Sequence, residues 1–159
     1  MQRSRRKTRE RRLRLSLYGL VFLVIAADQI SKAIILNYFS NNSAASIPLL
    51  PGIFHVTFVR NTGIAFGLFQ ENSFFITTSI FICVILLLLI SLKLRNSGKN
   101  YQMAYGLVMG GALSNFIDRL RFGYVVDFLD FQVWPVFNIA DSCITVGIVV
   151  LMIYTLLDP

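Results

Sequence analysis

Residues 15–36 read LSLYGLVFLVIAADQISKAIIL, and Asp28 and Lys32 are the only charges in the run. A helix needs about 20 mostly apolar residues to cross roughly 30 Å of hydrocarbon, and this stretch meets that length. The basic residues before it and Ala26-Ala27 within it also suit a cleaved leader. Its apolar character continues past Asp28 to Leu36, however, beyond the about 7–15 residues of a leader's apolar region. The stretch reads as a retained membrane helix with an acid and a base inside it.

Three further apolar runs follow, at about residues 74–92, 101–117 and 139–157. The first two of these carry no charge, and the last has Asp141 near its start. Gly106 and Gly110 have the Gly-xxx-Gly spacing that lets two helices approach closely in a bilayer. A hydrophobic content of 55% does not by itself separate the chain from a soluble domain; the gathering of that content into runs does. The expected fold is an α-helical integral membrane protein with four transmembrane helices, a single membrane domain over residues 15–159.

Charge sets the orientation. Residues 1–14 hold eight Lys/Arg and one Glu, a net +7 that equals the charge of the whole chain. The link Lys93-Leu-Arg95-Asn-Ser-Gly-Lys99 is short and basic as well. Lys/Arg-rich flanks stay in the cytoplasm, so both termini are expected there. The tail is read as a topological signal or an anionic-lipid contact; no nucleic acid partner is expected, because a like-charge run beside a span is a solvated tail.

The outer loops are then 37–73 and 118–138. Phe54, Val56 and Phe58 alternate with His55 and Thr57, a strand pattern, between the turn signals Pro51-Gly52 and Asn61-Thr62-Gly63. Ile64–Phe69 is apolar but too short to span, and suits a short interfacial helix. Phe122–Trp134, rich in aromatic and β-branched residues, suits a strand or hairpin. A small extracytoplasmic β element resting on the helices is expected.

The ionisable residues outside the tail converge on this outer side. Asp28 lies about 20 Å along the first helix at 1.5 Å per residue, with Lys32 one turn on, in the favourable acid-then-base order. Asn115 lies at the outer end of the third helix, with Asp118 and Arg119 just beyond and on its face if the helix continues; Asn138 and Asp141 stand at the start of the fourth, and Asp127 lies in the loop between. An Asp inside a span costs about 2.5–3.5 kcal/mol on insertion scales, so such residues are rare without a role. Each also has a plain structural reading. Asp28–Lys32 suits a helix-stabilising ion pair, Asn138-x-x-Asp141 a capping-box-like start, and Asp118–Arg119 a solvated pair.

The available chemistry is narrow. His55 is the single histidine and Cys83 and Cys143 lie within expected spans, so there is no disulfide framework and no zinc ligand set. Ser31, Ser114 and Ser142 have no neighbouring histidine to activate them. What remains as a device is some pair of aspartates from different segments. When two carboxylates share a site one keeps its proton, so one can take a proton from water while the other polarises a carbonyl. Asp127 and Asp141 can meet in this way. A proton or ion translocator built on Asp28, Lys32 and Asp141 is a second reading, although the two uncharged spans leave its path incomplete. A binding or assembly factor that uses the same groove without cutting is a third.

At these residues the chain resembles the lipoprotein signal peptidase (signal peptidase II) family of bacterial membrane aspartic proteases. Asp28-Gln-Ile-Ser-Lys32 resembles its DQxxK, Asn61-Thr-Gly63-Ile-Ala-Phe66 its NxGxAF, and Gly110-Gly-Ala-Leu-Ser-Asn-Phe-Ile-Asp-Arg119 its GGALGNxxDR. The stretch ending Val126-Asp127-Phe128 resembles VxDF, and Phe137-Asn-Ile-Ala-Asp141 resembles FNxAD. Five short motifs in order are specific where each alone is weak. Ser114 stands where the family usually has Gly, and Ile64 where a small residue is common.

The resemblance implies a substrate, a prolipoprotein carrying diacylglyceryl on its lipobox Cys, cut just before that Cys at the outer face of the bacterial cytoplasmic membrane. It implies Asp127 and Asp141 as the catalytic pair, Asn61, Asn115, Arg119 and Asn138 as site-lining residues, and Asp28, Lys32, Gly63 and Asp118 as further binding or site-shaping positions. It implies no metal or organic cofactor and a β-cradle with an interfacial helix beside the four spans. Membrane lipids are the expected surroundings, and a monomer suffices.

Overall fold

A computed structural model of the chain describes residues 2–42, 46–63, 73–93 and 98–157. The element order is α1 (Gln2–Asn41), β1 (Ser46–Leu50), β2 (Phe54–Asn61), α2 (Ser73–Lys93), α3 (Lys99–Phe122), β3 (Val125–Asp130) and α4 (Ile139–Leu157). Each expected span falls within one of the four helices. The interfacial helix expected at Ile64–Phe69 lies outside the described residues.

Two helices, Leu15–Asn41 and Ile139–Leu157, are long and apolar enough to cross a membrane by length and composition. A shorter apolar piece, Thr78–Ile90, lies within α2. The α3 helix has Lys99, Asn100 and Gln102 in its first turn and Asn115, Asp118, Arg119 and Arg121 toward its end, which dilutes its hydropathy at both ends.

Three helix ends lie well beyond their expected places, the first being the start of α1, at Gln2 within the basic segment and not at Leu15. The α1 helix continues past Leu36 to Asn41, because the polar residues there bond locally: Ser40 Oγ and Asn41 Nδ2 donate to the Asn37 carbonyl at 3.0 and 2.8 Å. The α3 helix continues past Ile117 to Phe122, so Asp118 and Arg119 are helical and not part of an outer loop. It stops at Gly123, whose φ of 78° takes the left-handed conformation and whose N–H donates to the Arg119 carbonyl. Glycine adopts that conformation without a Cβ clash, and the chain turns at once into β3.

The α3 helix is the hub, contacting α1, α2 and α4. Against α1, a Cβ on Gly110 would sit 2.8 Å from Val24 Cβ; the Gly-xxx-Gly spacing is used for this approach. Against α4, a Cβ on Gly111 would sit 2.4 Å from the Ala140 carbonyl oxygen, so the start of α4 rides directly on the α3 backbone. Leu17, Val21, Tyr105 and Met109 form the buried apolar cluster between α1 and α3, with Ile25, Leu87 and Leu113 packed on it.

The distribution of polarity is inverted relative to a soluble domain. Phe22, Leu23 and Ile34 on α1 and Met152 and Leu156 on α4 are well exposed, whereas Asp28, Lys32, Ser114, Asp118, Asp127 and Asn138 are almost wholly buried. Charged residues are almost never fully buried unless paired, and an apolar exterior around a polar centre suits hydrocarbon as the solvent.

The three strands form an antiparallel sheet in the order β1-β2-β3. The alternating segment at Phe54–Phe58 is β2, the middle strand. Across to β3, His55 of β2 faces Asp130 and Val59 faces Asp127. The Phe122–Trp134 segment thus supplies one strand to β2 and no hairpin of its own. The other edge of β3 is closed by Phe137, whose carbonyl accepts from the N–H groups of Phe128 and Leu129 at 3.0 and 2.8 Å, and whose N–H donates to the Leu129 carbonyl at 3.1 Å. This contact delivers Asn138, and then α4, to the side of Asp127.

Candidate active site

Asn138 is the first residue to fix the site. It precedes α4, and its Oδ1 accepts the Asp141 backbone N–H at 2.8 Å, the side-chain cap of a helix start. Its Nδ2 donates to Asp127 Oδ1 at 2.7 Å. One amide thereby connects β3 and the first turn of α4, and brings both aspartates to one place. The capping reading of Asn138 and Asp141 and their convergence with Asp127 hold together.

The second oxygen of Asp127 accepts Asn61 Nδ2 at 2.8 Å, and Asn61 Oδ1 accepts the Gly63 N–H at 3.0 Å. Asn115, reaching from α3, donates Nδ2 to Asp141 Oδ1 at 2.7 Å. Its oxygen accepts Lys32 Nζ at 3.0 Å and Asn138 Nδ2 at 3.2 Å. Arg119 donates Nη2 to the Gly63 carbonyl at 2.9 Å, tying the end of α3 to the chain just after β2. Arg119 and Asp118 are adjacent on a helix and face apart; they are not the solvated pair that their adjacency suggests.

Asp118 turns instead to Lys32. The Lys32 ammonium lies 2.6 Å from Asp28 Oδ2 and 2.8 Å from Asp118 Oδ2. The Asp28–Lys32 pair is therefore more than a one-turn helix contact. Asp28 also accepts the Ala140 N–H at 2.9 Å and the Ser114 hydroxyl at 2.7 Å. Asp118 accepts the Val126 N–H at 3.1 Å and Gln29 Nε2 at 2.7 Å. A buried ion pair is favourable only when its remaining lone pairs and protons are bonded, and here they are.

Burial, reinforced by the neighbouring Asp141 charge, pushes the Asp127 carboxyl up to about 7, against the bonds from Asn61 and Asn138, which lower it. A carboxylate that titrates near neutral pH can take or give a proton at little cost, the property required of a general acid or base. Such perturbed groups gather at functional sites. Among the described residues there is no group of three or more His, Cys, Asp or Glu able to hold a metal ion.

All ten expected site residues, Asp28, Lys32, Asn61, Gly63, Asn115, Asp118, Arg119, Asp127, Asn138 and Asp141, join this one bonded assembly. Two further members went unmarked as site residues. Gln29 bonds Ser114 as well as Asp118, and it stands beside Asp28 within the first motif. Ser114, the departure from the family's usual Gly, is fully buried and donates its hydroxyl to Asp28, so its extra atoms are accommodated. Ile64, the other departure, lies outside the described residues.

Comparison with known proteins adds an independent line. The chain is 41% identical over 137 residues to the lipoprotein signal peptidase of Halothermothrix orenii, covering 86% of this chain and 92% of that protein. It is 43% identical over 133 residues to the lipoprotein signal peptidase of Moorella thermoacetica, covering 83% and 87%. Its fold matches a bacterial membrane enzyme solved by the in meso method at 2.3 Å resolution, with a TM-score of 0.76, 32% identity, and coverage of 90% of this chain and 88% of that one. Residues 20–157 match the family model for signal peptidase (SPase) II, and the chain belongs to the signal peptidase II family.

Proposed function

We propose that this protein is a membrane aspartic endopeptidase that removes signal peptides from diacylglyceryl-modified prolipoproteins, cutting before the lipidated Cys. Asp127 and Asp141 are the catalytic pair. One carboxyl keeps a proton and polarises the scissile carbonyl, and the other takes a proton from the attacking water; the pair titrates as a unit. The observation that carries this reading is the Asn138 amide, which binds Asp127 with one end and the Asp141 backbone with the other in a buried setting.

Asn61, Asn115, Arg119 and Asn138 line the site, and Asp28, Lys32, Gly63 and Asp118 shape it. No metal or organic cofactor takes part. Four spanning helices from a single membrane domain set the site at the outer face of the bacterial cytoplasmic membrane, with the basic tail, the 93–99 link and both termini in the cytoplasm. The lipid tails of the substrate then hold the scissile bond at the depth of the aspartates, among membrane lipids, and a monomer suffices. The exposed apolar surfaces of α1 and α4 support this placement.

The test is to incubate purified protein in detergent with a synthetic lipobox peptide bearing a diacylglyceryl-Cys and to identify the products by mass spectrometry. The expected result is one cut, before the modified Cys, unaffected by a metal chelator. Binding of the peptide without cleavage would favour an assembly factor, and inhibition by the chelator would overturn the cofactor-free mechanism.

A further inference from the structure

Each of the three asparagines facing the aspartates has its oxygen tied to a group that can only donate. The Gly63 N–H meets Asn61 Oδ1 at 3.0 Å, the Asp141 N–H meets Asn138 Oδ1 at 2.8 Å, and Lys32 Nζ meets Asn115 Oδ1 at 3.0 Å. A backbone N–H and an ammonium have no acceptor capacity. Each contact therefore admits the oxygen end of the amide and turns the NH2 end the other way. Those NH2 groups reach Asp127 Oδ2, Asp127 Oδ1 and Asp141 Oδ1 respectively, at 2.8, 2.7 and 2.7 Å.

Two of these three locks are backbone groups; the third is Lys32, at 1% exposure, whose bond to Asn115 Oδ1 at 3.0 Å is shorter than the 3.2 Å bond that Asn138 Nδ2 adds to the same oxygen. We infer that Lys32 is a positioning residue for cleavage, acting on Asp141 through Asn115 by fixing which end of that amide meets the carboxylate. This rests on the reading of Asp127 and Asp141 as the catalytic pair. A reversed Asn115 sets oxygen against oxygen at Asp141 and displaces the carboxylate. Lys32 is itself held by Asp28 and Asp118. These accept the N–H groups of Ala140 and Val126, the residues immediately before Asp141 and Asp127. The ammonium is thus fixed in the frame of both aspartates.

A double-mutant cycle on turnover of the diacylglyceryl-Cys lipobox peptide tests this. Lys32→Met is combined with Asp28→Asn, so the Asp28–Lys32–Asp118 cluster keeps its net charge of minus one. The pair is then compared in the presence of Asn115 and in an Asn115→Leu background. Misplacement of a reacting group by about 1 Å costs about 100-fold in rate. The expected result is a loss of kcat of that order with Asn115 present, with KM changed less than about threefold, and a further loss below about threefold in the Asn115→Leu background.

Equal losses in both backgrounds, or an effect confined to KM, would overturn the inference. Thermal melting reports whether the Lys32 variant folds. If it does not, Asn115→Asp decides the matter: it keeps an oxygen for Lys32 but offers Asp141 no N–H, so kcat falls about 100-fold in a folded protein, and near-normal kcat overturns the inference. Activity of Asp127→Asn would instead sink the catalytic-pair reading, whichever way the cycle came out.

Discussion

Asp127→Asn should remove a pH-dependent cost to stability, so that the variant gains on the wild type as pH rises. The Asp127 carboxyl titrates at about 7 in the folded protein against 3.8 for an unperturbed group. In the unfolded chain the group ionises near the lower value. Between the two values the folded state therefore binds more protons, and stability falls as pH rises through that window. The contribution of that proton is fully present below about pH 4 and lost above about 7. The difference of roughly three pH units corresponds to about 4 kcal/mol at 1.36 kcal/mol per unit. Asn carries no titrating proton, so the variant escapes this cost. The stability gap between variant and wild type should widen by about 3 kcal/mol from pH 4.5 to pH 8. Any fixed difference in hydrogen bonding between Asn and Asp cancels in that comparison. The assay is denaturant or thermal unfolding of both proteins in the same detergent across that range. In an Asp141→Asn background the widening should shrink, because the Asp141 charge is one of the two causes of the shift. A gap that stays constant with pH, or a wild type that gains stability relative to the variant as pH rises, would refute the reasoning.

Gly111→Ala should push α4 off α3, since its Cβ meets the Ala140 carbonyl oxygen at 2.4 Å. The expected cost is about 1–3 kcal/mol of stability and about 100-fold in turnover, read by melting and peptide cleavage; Gly98→Ala, with nothing within 4 Å, is the clash-free control and should lose only the modest preference for Gly over Ala at the α3 N-cap. Ser114→Ala should cost about 1–3 kcal/mol by stripping a buried donor from Asp28, and Ser114→Gly roughly a further 1 kcal/mol for glycine within a helix; equal melting of all three proteins would show that the hydroxyl contributes nothing.

Much of the fold was legible in the sequence because its signals are local. A long apolar run declares a helix without reference to any other part of the chain, and the Phe54–Phe58 alternation declares a strand. The partner of that strand was not legible. The Phe122–Trp134 segment reads as a strand or a hairpin without a named partner, because β3 is buried along nearly its whole length and so lacks the alternation that would fix its bounds. Its pairing of His55 with Asp130 joins positions far apart in the chain. Helix ends were the other gap: Asn37 and Gly123 act through a carbonyl bond and a backbone angle that composition does not weigh.

The candidate site follows the same division. Asp141 and Asn138 stood out as polar residues at a helix start, whereas Asp127, in a loop, was singled out mainly by the resemblance of its motif. Asp118 did not stand out from Arg119, since adjacency suggested a pair where helical geometry turns the two apart. Its true partner, Lys32, lies on another helix. Gln29 was hidden for a related reason, and Ser114 was visible only as a hydroxyl without a histidine and as a departure from the family's usual Gly. Their side chains are uncharged and unremarkable in type, and they matter only because the α1–α3 contact puts them beside Asp28 and Asp118.

The central claim is that Asp127 from β3 and Asp141 from α4 together cleave the peptide. The most direct measurement is single-turnover cleavage of the diacylglyceryl-Cys lipobox peptide by folded Asp127→Asn and Asp141→Asn proteins beside wild type. Both variants should bind the peptide and each should lose cleavage to background, because neither half of the pair can activate water alone. Near-normal cleavage by either variant would contradict the account.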